Sequence, residues 1–591
     1  MRIVLSSLFL FYSVCSFSQT VIQGLVKDSK TNEALPYCSI AIKGTKKGTI
    51  TNAEGVFSIP VNIKDTVLFS YIGYGTQLIS AGKLLQIKTV LLKRKDIQLQ
   101  EFTVHATNEF LYDILDQCRK KLLKDRTKRT AKVYYGIETE TKEQPIELLE
   151  CYYNGYLNGT TIDKLLLKNG RIGLAILDYR YFLTLNSSKA IINMELTNKS
   201  DNSPSNPFQF NKREMKKQFV LGLEYTDDKM HKIKFHPRNN QNKSFSGEIL
   251  VDKETCSLLK IDLIIENTSR HPFLSIYYKD SIYNVDLAIS RTYKQERSST
   301  LLDHINFSYH VTYKSVRDTP TVLIPSIITR DINTKGIMYI YDFNNPFILP
   351  RFDYDEDFDD YRKISIIPYN EVFWNNNNTL ILTEKQKENL GFFFHEGCLI
   401  NYREGNYGKN FLKLPRFDSA QFYEYYYAFW SPNKRISLNK KMLQNETYSL
   451  EKINQNIQTN LYKLKVQILL DVTQLGDSLN CKSYTIFDAH KTFYHLPEES
   501  CTNAFLNIYF DLCETERRKM QKELDSHSYT VTQIDSIYDK TVENTDNITQ
   551  IYLKEVALGK NDKALHKWNK YILENLNIDN LKLFPDSNNG K

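Results

Sequence analysis

Few residues of this chain combine a reactive type with a reactive spacing. His495-Leu496-Pro497-Glu498 has the H-x-x-E spacing that opens a zinc peptidase site. A third ligand would have to come from His527 or His566, and Pro497 disturbs the local geometry. His395-Glu396 lacks the second histidine of H-E-x-x-H, because Leu399 stands there. No G-x-S-x-G and no Walker loop occurs. Asp353, Asp355, Asp357 and Asp359 alternate, with Glu356 and Asp360 beside them. Such carboxylate density suits Ca²⁺, yet no glycine supplies the tight loop of an EF-hand. Phe422 to Trp430 is the densest aromatic run and reads as a buried strand edge rather than a sugar-stacking surface. The cysteines are scattered without a C-x-x-C pair, so no cysteine-based zinc site is expected. These residues point to no catalytic group, no metal and no cofactor.

The elements around them are those of a globular chain. Of 591 residues, 41% are hydrophobic and 25% charged, a balance that argues against disorder and for three or four domains. The 39 Tyr and 32 Phe suit half-buried strand surfaces. The net charge of +8, from 77 basic and 69 acidic residues, is too diffuse to call for nucleic acid. One basic run, Arg119 to Lys132, reads as a solvated helix end and loop; contact with anionic lipid is the alternative.

Met1-Arg2, the apolar stretch Ile3 to Val14 and the small residues Ser16 and Ser18 form the three-part pattern of a secretory signal, with cleavage expected between Ser18 and Gln19. No later apolar run approaches the ~20 residues of a membrane-spanning helix. Residues 19–106 read as about seven short strands separated by turns, a β-sandwich. Residues 107–129 read as a linker helix, capped by Asn108 and apolar at Leu111, Leu115, Cys118 and Leu122. Residues 130–345 read as a curved, largely antiparallel sheet. Its clearest unit is a hairpin in which Phe245, Gly247, Ile249 and Val251 alternate, Asp252 to Thr255 turn, and Leu259, Ile261, Leu263 and Ile265 return. An acidic linker over 346–365 follows. Residues 366–591 read as a mixed domain ending in a helical bundle, with helices at Phe505–Leu524, Asn547–Leu558 and Asp562–Leu576.

Gly24-Leu25-Val26-Lys27-Asp28, Pro36, Gly44-Thr45, Gly48-Thr49-Ile50-Thr51-Asn52, Gly55-Val56-Phe57 and Phe69 to Tyr74 with Gly73 together resemble the carboxypeptidase-regulatory-like family. The resemblance implies a non-catalytic, prealbumin-like sandwich of the kind found before TonB-dependent receptors of Gram-negative bacteria. The family usually carries Asp where Asn52 stands, and both residues suit a turn. No Gly-rich plug segment follows, and the last residues are polar, so a transmembrane barrel is not expected. Ser246 to Thr255 resembles, over a short stretch, a strand-turn-strand of LolA-like lipoprotein carriers. That resemblance implies an open apolar groove, lined by Phe245, Ile249, Val251, Ile261 and Leu263, that would face lipid.

The function expected from these observations is a non-enzymatic exported envelope protein that binds or assembles cell-surface components. It would sit in the periplasm or at the outer membrane. Its partner would be an envelope protein or outer-membrane component, with lipid a further candidate and nucleic acid excluded. A lipid or lipoprotein carrier and an envelope peptidase are the alternatives.

Overall fold

The computed structural model describes residues 20–45, 47–95, 108–177, 180–239, 242–275, 278–296, 299–317, 326–354, 358–396, 398–402, 427–437, 462–489, 491–494, 496 and 499–584. Ser18 and Gln19, His495, Pro497 and Glu498, Asp355 to Asp357, and Phe422 to Tyr426 fall outside them. The protein is β-rich, with several sheets and a helical C-terminal region. It divides into two compact units. One joins residues 1–104 with 225–227 and 377–388; the other holds 105–224, 228–376 and 389–591.

The first unit contains β1 (Thr20–Asp28), β2 (Ser39–Ile42), β3 (Gly48–Ile50), β4 (Val56–Val61), β5 (Thr66–Ser70), β6 (Gln77–Ser80), a single turn α1 (Ala81–Leu84) and β7 (Thr89–Leu92). They form two small sheets, ordered β4-β1-β7 and β3-β2-β5-β6. Alternation decides what is inside. Ile22 and Val26 of β1, Ile40 of β2, Phe57 and Ile59 of β4, Val67 and Phe69 of β5 and Val90 of β7 meet in one core.

The second unit is organised by an eleven-stranded sheet. Its first strands are β8 (Lys128–Glu140), β9 (Pro145–Asn158) and β10 (Thr161–Leu174). A two-stranded ribbon, β11 (Ile176–Leu177) with β12 (Arg180–Tyr181), precedes β13 (Phe219–Thr226), β14 (Met230–Pro237), β15 (Ser246–Asp252) and β16 (Leu258–Thr268). The long strands β17 (Ser281–Glu296), β18 (Ser299–Arg317) and β19 (Ser326–Tyr341) follow, with the short β20 (Cys398–Ile400) last. The order is β13-β14-β15-β16-β17-β18-β19-β8-β9-β10-β20. The pairings from β14 through to β20 are all antiparallel. The expected hairpin is present as β15–β16 with Ile249 opposite Ile261. A register shift between Leu250 and Val251 places Leu258, rather than the expected Leu259, in the core.

The helix expected as a linker is α2 (Glu109–Lys124), and it packs into this unit instead. Leu111, Leu115, Cys118 and Leu122 join one core with Ile249, Ile261 and Leu287 of the sheet. Asn108 does not cap it through its side chain; its amide donates to the Leu221 carbonyl at 2.9 Å. Helices α3 (Leu185–Ile192) and α4 (Lys212–Gln218) contribute Leu185, Ile191 and Met215 to the same core.

Residues 346–365 are likewise packed where described. Asn154 and the Phe347 backbone exchange hydrogen bonds at 2.8 and 2.7 Å. Asp359 caps the helix Asp360–Ile366 by accepting from the Arg362 amide at 3.0 Å, and Asp360 accepts from the Tyr153 hydroxyl at 2.9 Å. Asp353 pairs with Lys491 at 2.6 Å. The described acidic residues of this stretch, Asp353, Asp359 and Asp360, thus each have a partner. Gly170 of β10 makes room for that helix: a Cβ there would lie 2.6 Å from Ile364.

Toward the C-terminus, Tyr427–Phe429, Val466–Leu475 and Ser478–Asp488 form a three-stranded sheet, with a turn at Gly476, whose φ is +59°. Helices Thr502–Ser526, Val531–Val556 and Asp562–Leu576 follow. The middle helix is more than twice the expected length. Its buried side carries Ile534 and then Thr541, Thr545 and Thr549 before Tyr552 and Val556.

Candidate functional site

The glycine-punctuated loop between β3 and β4 is the best-built recognition geometry in the first unit. Gly48 opens it against the Ile40 carbonyl, which a Cβ would meet at 2.7 Å, and Gly55 closes it at φ +78°. Thr51 donates to the Leu35 carbonyl at 2.7 Å. Asn52 Oδ1 accepts from the Glu54 and Val56 amides, both at 2.9 Å. With its oxygen committed, Nδ2 donates outward to the Ile381 carbonyl at 3.2 Å. Thr49 Oγ1 donates to the Thr379 carbonyl at 2.5 Å, and a Glu54 carboxylate oxygen accepts from the Glu384 amide at 3.2 Å. That amide lies at the start of the helix Glu384–His395, whose capping box is Thr383 with Gln386.

A second polar centre lies under the other end of the same fold. Asp28, 1% exposed, accepts from the Tyr74 hydroxyl at 2.7 Å, the Lys30 and Thr31 amides at 2.7 and 3.1 Å, and Arg94 Nε at 2.5 Å. The Tyr74 hydrogen bond, followed by the two amides, holds its carboxyl well below the usual carboxylate range. Gly44 and Gly73 adopt φ of +79° and +84°, Pro36 sits in the turn before β2, and a Cβ on Gly24 would lie 2.8 Å from the Phe57 ring. The module residues singled out in the sequence are therefore distributed between turns, one buried carboxylate cluster and the β3–β4 loop. The role of Thr49 and Glu54 was not legible beforehand, because their partners lie some 330 residues away.

The five residues expected to face lipid are in the second unit. Phe245, Ile249, Val251 and Ile261 are fully buried and Leu263 is 2% exposed. They belong to the core that α2, α3 and α4 help to close. The apolar face exists as expected, but protein fills it, because those helices carry apolar stripes that must be buried on something. Arg291 of β17, 4% exposed, reaches the end of α3 and donates to the carbonyls of Ile191, Ile192 and Met194. This satisfies the orphan acceptors of a helix end. At the start of α3, Glu147 of β9 is fully buried and accepts from the Thr184 amide at 3.0 Å, the Thr184 hydroxyl at 2.5 Å and the Tyr361 hydroxyl. Burial pushes its carboxyl up despite these donors.

No group of three or more metal-ligating side chains occurs among the described residues. Cys38, Cys118, Cys151, Cys398 and Cys513 are buried, as cysteine is when it packs as a small hydrophobe. Among the described residues, no helix is long and apolar enough to cross a membrane.

The arrangement of the first unit agrees with what comparison finds, since residues 22–104 match a known family. They form a CarboxypepD_reg-like domain. TonB-dependent receptor P26 of Formosa agariphila is 34% identical over 76 residues, which are 13% of this chain and 8% of the receptor. TonB-dependent receptor SusC of Bacteroides thetaiotaomicron is 36% identical over 69 residues, 12% of this chain and 7% of that receptor. The chain thus spans less than a tenth of the length of these relatives, and the likeness lies within the CarboxypepD_reg-like domain. Among solved structures, a LolA superfamily protein from Nitrosomonas europaea aligns with 42% of this chain and 97% of its own, at 9% identity and a TM-score of 0.16. The Pseudomonas aeruginosa MucA/MucB complex aligns with 38% of this chain and 92% of its own, at 10% identity and a TM-score of 0.13. At such scores these likenesses carry no argument.

Proposed function

We propose that this is a non-enzymatic exported envelope protein whose CarboxypepD_reg-like domain binds another envelope component. The observation that carries this reading is the domain itself, shared with two TonB-dependent receptors at 34% and 36% identity. The two small sheets over one core fit a seven-stranded prealbumin-like sandwich spanning 19–106. Export rests on the signal pattern at Met1 to Gln19 and places the protein in the periplasm or at the outer membrane. N-terminal sequencing of the protein from a cell-envelope fraction is expected to begin at Gln19. A cytosolic protein with Met1 intact would overturn the proposal. Crosslinking in intact envelopes is expected to capture a protein or outer-membrane component.

The carrier alternative loses its groove, since the residues that were to line it are core. The peptidase alternative rests on His495 and Glu498 alone. Purified protein without stoichiometric zinc and without hydrolytic activity is the expected result.

A further inference from the structure

The β3–β4 loop makes contacts that a turn alone does not need. Asn52 Oδ1 already completes the turn by accepting the Glu54 and Val56 amides. An aspartate, the residue usual here in the family this domain resembles, would complete it equally well. What aspartate lacks is a donor. The Asn52 amide uses its donor on the carbonyl of Ile381, and Thr49 donates to the carbonyl of Thr379. These two acceptors are two residues apart, the spacing at which an extended chain presents carbonyls to one side. Glu54 then accepts the Glu384 amide, at the positive end of the helix Glu384–His395.

All three contacts end on main-chain atoms of the segment. We infer that the Thr49–Glu54 loop is a peptide-recognition site that reads an extended backbone running into a helix start, and that its resident occupant is residues 377–388 of this chain. Asn52 is the specificity-determining residue of the turn, since its amide donor, which aspartate lacks, meets the Ile381 carbonyl while Thr49 meets that of Thr379. Side chains of the occupant are not read by these hydrogen bonds. Leu380, 9% exposed, is the segment's buried apolar residue. This inference rests on the reading of the domain as a binding element, and it names the bound chemistry.

The test uses the full chain. Asn52→Asp keeps both turn acceptors and removes the donor. Amide hydrogen exchange at residues 379–384 is expected to quicken at least about threefold, the equivalent of a lost hydrogen bond, while exchange in β1, β4 and β5 stays as in the wild type. Leu380→Asp should expel the segment and vacate the loop. A labelled synthetic peptide of residues 375–390 is then expected to bind the Leu380→Asp protein and not the wild type. Adding Asn52→Asp should weaken that binding at least about threefold. Equal exchange at 379–384 in wild type and Asn52→Asp would overturn the inference. So would peptide binding that is indifferent to Asn52. If Leu380→Asp does not fold, the exchange comparison decides by itself. Where the protein resides in the cell does not enter either readout, so failure here is distinct from failure of the envelope assignment.

Discussion

Asp28 and Glu147 are both buried carboxylates, yet their surroundings push them in opposite directions. Asp28 is held below its ordinary value of 3.8, chiefly by the Tyr74 hydroxyl and two backbone amides. Its contribution to stability is therefore fully present above that value and is lost as pH falls below it. Asp28→Asn is expected to loosen the first unit at neutral pH and to blunt its acid sensitivity, read as exchange rates of β1 and β7 amides across an acid series. Glu147 is raised above 4.5 by burial. The stability it allows is fully present below 4.5 and is lost as pH rises through its folded-state value. Glu147→Gln keeps an acceptor for Thr184 and removes the ionisable group. Urea midpoints are expected to show the variant gaining on the wild type as pH rises above 4.5. Glu147→Ala, which strands the Thr184 amide, is expected to cost about 1–3 kcal/mol at all pH values. Sequence composition identified neither residue as unusual. A carboxylate's environment is assembled by chain segments remote from it, here β9 with Thr184 and Tyr361.

Elements were legible in proportion to how apolar their buried sides are. The β15–β16 hairpin, the strand after Tyr462 and the helix near Asp562 announce themselves by alternation or a helical stripe. The helix Val531–Val556 does not, because its buried side carries Thr541, Thr545 and Thr549 at helical spacing. Each hydroxyl donates to the carbonyl four residues back, at 2.8, 2.7 and 2.7 Å, so the methyl is what the neighbouring helix meets. Thr545→Val is expected to change stability by less than about 1 kcal/mol, whereas Thr545→Asp should melt the bundle's packing, as judged by thermal denaturation followed at 222 nm, a wavelength sensitive to helix. The supposed linker at 346–365 was misread for a related reason. Its neighbour β10 carries Lys168, buried and paired with Asp471 at 2.5 Å while donating to the carbonyls of Ile348 and Val472. Lysine in a strand reads as an outward residue. Lys168→Met is expected to destabilise by about 3–5 kcal/mol by leaving Asp471 uncompensated, and the double change with Asp471→Leu should recover much of that loss in a double-mutant cycle.

For the whole molecule, the division into a small N-terminal domain and a β-rich remainder could be read from turn spacing and alternation. The finer partition could not, because the chain returns: residues 377–388 rejoin the first unit, and β20 adds a final strand beside β10. Filling of the apolar face by α2, α3 and α4 was equally invisible, since a stripe does not say which surface it will cover. Ile249→Ala is accordingly expected to cost about 2–5 kcal/mol in urea unfolding, as a core cavity does, and native mass spectrometry of the wild type should show no bound lipid. The strand order has a temporal consequence as well. β8 pairs with β9 at once, but its other neighbour, β19, begins at Ser326, nearly two hundred residues later. During synthesis the three-stranded β8–β10 meander must wait with an open edge until the far half of the sheet arrives. Closing so long a loop is slow, and an unpaired edge in the meantime invites mispairing. The protein's demand on its cell is thus one of timing: a period in which a holdase keeps β8 free for β19.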